Sequence, residues 1–167
     1  MNKFLILGCQ GSGKTYLAKQ LGTRLDIPVF HLDEVFWESW GPPLNVTPTA
    51  AQIEEKLIEL TSGQAWIIDG NFIKTLPMRL ARCDVVVYLA APRWLCIWRV
   101  IRRYLVCRLQ GVVRPHEQIH WQLLKHIWRF PQTLQPKLLN LIDENEPHGG
   151  IWMIKSSREL WGYLNQS

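Results

Sequence analysis

Gly8-Cys9-Gln10-Gly11-Ser12-Gly13-Lys14-Thr15 satisfies G-x-x-x-x-G-K-[ST] at every fixed position. The chemistry suited to that spacing is the holding of phosphate. Glycines let the backbone turn tightly, so that successive N–H groups point inward as an anion nest. The positive end of a following helix adds its dipole. A lysine at the seventh position reaches β- and γ-phosphates, and the hydroxyl after it sits on Mg²⁺. Lys14 and Thr15 occupy those positions, and with Tyr16 they complete the expected nucleotide-binding stretch. The competing reading, a Gly-rich turn that only looks like such a loop, is weighed by the flanks. An apolar run, Phe4-Leu5-Ile6-Leu7, precedes the motif, and Leu17, Leu21 and Leu25 follow at helical spacing. Both flanks fit, so binding of a nucleoside triphosphate is expected.

Two acids stand where a phosphate-binding site needs them. Asp69 follows Trp66-Ile67-Ile68 and precedes Gly70. At the carboxyl edge of a sheet it would hold Mg²⁺ beside Thr15, or else serve as a strand-end turn residue. Asp33 follows Val29-Phe30-His31-Leu32 in the same way. Its carboxylate would orient an attacking hydroxyl, or it is a simple turn residue. His31 reads as structural.

The elements that must position these groups alternate along the chain. Strands are expected at Phe4–Leu7, Val29–Leu32, Trp66–Ile68, Val85–Leu89 and Ile151–Ile154. Helices are expected at Lys14–Leu25, from Thr49 to about Leu60, at Pro92–Leu109, Gln118–Phe130, Pro136–Leu141 and Ser157–Leu164. Thr49 and Gln52 have the spacing of a capping box, and Gly63 is placed to end that helix. A Pro/Gly-rich loop runs from Gly41 to Pro48. Strands alternating with helices give an α/β fold, a five-stranded parallel sheet covered on both faces. The chain reads as a single domain over 1–167, with an acceptor-binding insert at about 33–62 and a short lid at about 108–118.

Composition bounds the rest. The 167 residues suffice for one core. No apolar stretch reaches membrane-spanning length and no secretory leader is read, so a cytoplasmic protein without membrane contact is expected. Cys9, Cys83, Cys96 and Cys107 show no metal-ligand spacing and read as buried or incidental thiols. Net charge is +5, concentrated in the middle: Ala90–Phe130 holds eight Lys/Arg against one acid, Glu117. A basic stretch in a nucleotide-binding protein serves phosphate handling or a nucleic-acid surface.

Several motifs recur together in a known family. They are His31-Leu32-Asp33-x-x-Phe36-Trp37, Trp66-Ile67-Ile68-Asp69-Gly70-Asn71, Arg79, Ala91-Pro92-Arg93-Trp94-Leu95-Cys96-x-Trp98-Arg99-Val100, and Ile127-Trp128-x-Phe130-Pro131. Over nearly its whole length the chain resembles the FlaR-like topology modulation proteins, a group related to adenylate kinase. The resemblance implies a P-loop kinase fold with a small acceptor-binding region and a lid. Asp69-Gly70 looks like the D-G pair that ends the third strand in adenylate-kinase-like enzymes. Arg79 is similar to an acceptor-phosphate arginine there. Asn71 departs from the Phe-Pro-Arg of true adenylate kinases, which puts a nucleoside monophosphate acceptor in doubt. Arg99, Arg102 and Arg103 look like arginines at the hinge of a lid.

The residues support that last point by themselves. Arg99, Arg102 and Arg103 stand at i, i+3 and i+4 and share a helix face, opposite a stripe of Trp94, Ile97, Trp98, Ile101 and Leu105. Such guanidinium groups neutralise the charge of a transferring phosphoryl group, or they form a solvated basic face. Arg114, beside Gly111 and Pro115, lies in the loop able to close as a lid. Six of the nine tryptophans (Trp66, Trp94, Trp98, Trp121, Trp128, Trp152) fall on strand or helix patterns and are expected in the core. Trp37 and Trp40 follow Asp33, where they would stack on an acceptor or anchor the Pro-rich loop. Adenine is expected near Ser156-Ser157-Arg158.

The leading expectation is an ATP- and Mg²⁺-dependent phosphotransferase with a small hydroxyl- or phosphate-bearing acceptor. Lys14, Asp33, Arg99, Arg103 and Arg114 would be catalytic, Thr15 and Asp69 would hold the metal, and Asp33, Trp37 and Arg79 would bind the acceptor. GTPases carry an N/T-K-x-D base-reading motif, which is missing here. The competing reading is a nucleic-acid-associated NTPase or regulator affecting DNA topology. It lacks any helix-turn-helix, RNA-recognition or zinc-finger pattern.

Overall fold

A computed structural model gives the fold and describes residues 1–40, 48–110, 121–145 and 147–164, apart from the side chains of Trp37, Trp40 and Ser157. Strands β1 (Lys3–Gly8), β2 (Val29–His31), β3 (Trp66–Asp69), β4 (Val85–Leu89) and β5 (Ile151–Ile154) form one sheet in the order β2-β3-β1-β4-β5. Every pairing is parallel. Parallel strands need crossovers, and helices supply them: α1 (Lys14–Leu25), α2 (Leu32–Trp40), α3 (Ala50–Thr61), α4 (Leu76–Leu80), α5 (Arg93–Leu109) and α6 (Trp121–Asn145), while α7 (Ser157–Leu164) follows the last strand.

Alternation along the strands divides the core in two. Leu5, Leu7, Ile68, Val86 and Tyr88 face one side, under residues of α3, α4, α5 and α6. Phe4, Ile6, Ile67, Val85 and Val87 face the other, against Leu17 and Leu21 of α1 and Leu160 of α7. Both faces are covered, which is why β3 and β4 are buried at every position. The capping box at Thr49 is present, with Gln52 N donating to Thr49 Oγ1 at 3.3 Å and Thr49 N donating to Gln52 Oε1 at 2.9 Å.

Three expectations change. The second strand ends at His31, and Leu32–Trp40 is helical rather than a strand end and loop. Leu32 is buried, with Val35 and Phe36 packed against the same core, and Asp33 and Glu34 complement the helix dipole in the first turn. Next, α6 runs unbroken through Pro131 and Pro136. Proline removes a hydrogen bond, but Ile127, Phe130, Leu138 and Ile142 bury along one side and hold the helix together. Of the six tryptophans expected in the core, only Trp66 and Trp152 are buried. Trp94, Trp98, Trp121 and Trp128 are 50–77% exposed. Helix α5 lies so close to the phosphate loop that small residues, Cys96 and Val100, take its buried stripe. The tryptophans are displaced outward, where Arg102 lies over the Trp98 ring and Arg93 over Trp128, 5.6 and 4.1 Å from the centroids.

Candidate active site

The motif runs from the last residue of β1 to the first turn of α1, at the carboxyl edge of the sheet. Gly11 has φ +78, and a Cβ there would lie 2.4 Å from the Cys96 carbonyl oxygen. Gly13, at φ +105, caps α1 without a side-chain partner. The loop closes on itself through Ser12 N to the Cys9 carbonyl at 3.1 Å. Lys14 Nζ spans it, donating to the Gly8 and Cys9 carbonyls at 3.0 Å each. Gly11→Ala is expected to destabilise the fold by about 2–4 kcal/mol, combining left-handed backbone strain with an overpacked contact. A urea midpoint shift reads this out, and an unchanged midpoint would contradict the tight α5–loop contact.

Sheet register brings the candidate metal-side groups together. Asp69 pairs with Ile6 on one side and with His31 on the other. Thr15 Oγ1 donates to Asp69 Oδ2 at 2.8 Å, and His31 Nδ1 stands 3.2 Å from the same oxygen. Asp69 Oδ1 is buried with no hydrogen-bond partner among the described residues. An orphaned carboxylate oxygen is costly unless something else satisfies it. Thr15 and Asp69 therefore fit a Mg²⁺ ion, which needs only one or two protein oxygens when phosphates complete its shell. No cluster of three or more His, Cys, Asp or Glu among the described residues offers a metal cage of its own.

Asn71 was not legible as a site residue. Its Oδ1 accepts from Gly8 N at 3.1 Å and its Nδ2 donates to the Gly8 carbonyl at 2.8 Å. This two-point pairing ties the start of the loop to the end of β3. Its signal was the very Asn that departs from Phe-Pro-Arg, since a side-chain amide can satisfy both groups of one peptide residue. His31, read as structural, is a neighbour of this candidate site through its 3.2 Å contact with Asp69 Oδ2.

Arg79 does not have the place expected for an acceptor-phosphate arginine. It is 0% exposed and donates to the Gly70, Asn71 and Phe72 carbonyls at 2.7, 3.3 and 2.9 Å. Burial pulls its pKa down to about 10, so the guanidinium stays charged at neutral pH. Facing carbonyl dipoles, it braces the turn after β3. Arg79→Ala leaves these carbonyls unsatisfied, and a loss of about 3 kcal/mol in unfolding free energy is expected by denaturant titration. A near-neutral result would mean that Arg79 is not the brace.

The α5 arginines lie together, but of the apolar stripe read opposite them Trp94, Trp98, Ile101 and Leu105 are exposed. Arg99, Arg102 and Arg103 line a cleft of about 560 Å³ with Gly13, Tyr16 and Ser156. Lys155 adds a fourth cation, and among the described residues no acid lines the cleft. Arg99 Nη1 donates to the Ser12 carbonyl, which ties this helix to the phosphate loop. Ser156, from the segment expected near adenine, is on the cleft wall. Asp33 is exposed on the first turn of α2, two residues beyond His31. Gln10 is exposed at the loop tip. Arg114, most of the expected lid and the Trp37 side chain lie outside the described residues.

A parallel sheet in this order, with a phosphate loop after its central strand, defines a P-loop nucleotide-kinase fold. The chain is similar to shikimate kinase from Acinetobacter baumannii in complex with shikimate, at 18% identity and TM-score 0.62 over 99% of this chain and 92% of that one. It is also similar to shikimate kinase from Bacteroides thetaiotaomicron, at 16% and 0.61 over 98% and 94%. Deoxyadenosine kinase from M. mycoides with bound dATP matches at 11% and 0.59 over 98% of both chains. No family model and no curated protein matches. These likenesses support the kinase fold and leave the FlaR-like family itself without confirmation.

Proposed function

We propose that this protein is an ATP- and Mg²⁺-dependent phosphotransferase that passes the γ-phosphoryl group to a small hydroxyl- or phosphate-bearing acceptor. One observation carries the reading. Thr15 and the half-satisfied Asp69 carboxylate meet beside a glycine loop, next to a cleft lined, among the described residues, by four cations and no acid. Loop amides and Lys14 would hold the β- and γ-phosphates, and Arg99 and Arg103 would neutralise transferring charge. Thr15 and Asp69 would hold Mg²⁺, which would supply positive charge to offset that of the terminal phosphates. Asp33 would orient the acceptor's hydroxyl and accept its proton, Trp37 would contribute a stacking surface for the acceptor, and Arg114 would add charge over the donor. The base would rest against Tyr16 and Ser156.

Two of the solved structures that the chain is similar to carry the names of a small-molecule kinase and a nucleoside kinase, which is consistent with a compact acceptor. The motif resemblance to the FlaR-like proteins belongs to the same reading. The nucleic-acid alternative draws on the basic middle of the chain, but Arg99, Arg102 and Arg103 converge on the cleft and are accounted for there. The test is transfer of label from γ-labelled ATP into a metabolite extract, resolved by chromatography. A Mg²⁺-dependent labelled product distinct from inorganic phosphate is expected. Label appearing only as inorganic phosphate would overturn the proposal.

A further inference from the structure

A second cavity, of about 150 Å³, borders the phosphate loop at Cys9, whereas the cationic cleft borders it at Ser12 and Gly13. Part of its wall is apolar, with Leu89, Ile127 and Phe130, but Tyr88, Arg93 and Gln135 line it too. None of these three polar side chains has a hydrogen bond or ion pair with a described residue. Tyr88 is 1% exposed, and a buried hydroxyl without a partner is costly. Burial also raises its pKa, so the hydroxyl keeps its proton and can donate. The Arg93 guanidinium rests on the Trp128 ring, 4.1 Å from the centroid. That stacking occupies the face of the guanidinium and leaves its N–H donors free in the plane.

We propose that this cavity is a binding site for a small hydroxylated oxyanion, a carboxylate or a phosphate, held by Arg93, Tyr88 and Gln135. The sign of the charge follows from the wall. Arg93 is cationic, and among the described residues no acid lines the cavity. Helix α5 begins at Arg93 without a side-chain cap, so the positive end of its dipole adds to the same field. Water could satisfy Tyr88 and Gln135, but the guanidinium and the uncapped helix end select an anion over it. The hydroxyl follows from α6. Pro131 has no N–H for the Ile127 carbonyl four residues before it, which accepts instead from Cys9 Sγ at 3.9 Å. A ligand hydroxyl is a stronger donor to that oxygen than a thiol.

Size narrows the class further. A volume of about 150 Å³ is room for about five waters at about 30 Å³ each, which admits a hydroxy acid of a few carbons or one phosphate group and excludes a nucleotide. Arg93 pairs with the anion through two parallel N–H groups, and the Gln135 amide and Tyr88 hydroxyl complete its contacts. The site does not depend on the triphosphate-binding reading, because Lys14 and the α5 arginines Arg99, Arg102 and Arg103 are not in its wall.

The experiment titrates the intact chain by calorimetry with L-lactate, with inorganic phosphate and with glycerol as the uncharged control. A Kd on the order of 1 mM is expected for lactate, phosphate or both, and the tighter of the two names the source. Glycerol should not bind. Arg93→Met keeps an apolar stem against Trp128 and should weaken binding at least about 10-fold. Gln135→Leu should weaken it about 5-fold, and it judges the site on its own if Arg93→Met fails to fold. Lys14→Ala and Arg102→Ala separate this cavity from the phosphate loop and the cationic cleft, and both should retain binding within about 2-fold. Binding lost in either of those and kept in Arg93→Met would overturn the site. Glycerol binding as tightly as lactate would overturn the anion, and no binding of lactate or phosphate at about 20 mM would overturn the whole proposal.

Discussion

Lys14→Ala is expected to lower phosphoryl transfer roughly 10³-fold, about 4 kcal/mol of transition-state stabilisation. Lys14 is the first residue of α1, and its ammonium already lies across the loop on the Gly8 and Cys9 carbonyls. Charge that develops on the β–γ bridge meets a fixed cation there, and alanine supplies none. Arg99, Arg102, Arg103 and Lys155 stay in the cleft and retain part of the attraction for ATP. The loss should therefore fall on kcat more than on ATP affinity. Losing two side-chain hydrogen bonds to loop carbonyls costs about 1–2 kcal/mol of stability, so the variant should remain folded. Single-turnover transfer beside an ATP titration separates the two effects. Retention of wild-type kcat would remove the phosphate loop from the chemistry.

Asp33→Ala is the second large effect. General-base contributions amount to about 10²–10⁴-fold, so transfer should fall by at least about 10²-fold. ATP binding should be spared, because Asp33 stands on the β2–α2 side and is not among the residues lining the cationic cleft. Its first-turn position contributes at most about 1 kcal/mol through the helix dipole. Activity, not stability, is the readout. Intact transfer in Asp33→Ala would assign the acceptor to another group, and a collapse of ATP affinity would place Asp33 on the donor side.

The donor side of this site was legible because local chemistry dictates it. A glycine loop between an apolar run and a Leu17/Leu21/Leu25 helix can be read from spacing alone, and so can three arginines at i, i+3 and i+4. The parallel sheet followed from alternating elements, with Val85–Leu89 apolar throughout because both its faces are covered. Contacts between distant segments were not legible. The pairing of Asn71 with Gly8 and the three carbonyls around Arg79 exist only after β1 and β3 align. Resemblance alone had put Arg79 on the acceptor, whereas burial puts it under the turn. The tryptophans of α5 and α6 misled for a related reason. Helical spacing reports which residues share a face, but not which face meets the sheet. That choice was made by Gly11, whose contact with the Cys96 carbonyl admits only small residues on the inner side of α5.

The central claim, transfer from ATP to a small acceptor, is tested most directly by ADP release from Mg-ATP across a panel of nucleosides, nucleotides and hydroxylated metabolites. The account predicts a slow basal rate that one compound, or one chemical class, raises by at least about 10²-fold, with a phosphorylated product in equal amount. A flat panel, with ADP release stimulated instead by duplex DNA in a salt-dependent manner, would contradict it.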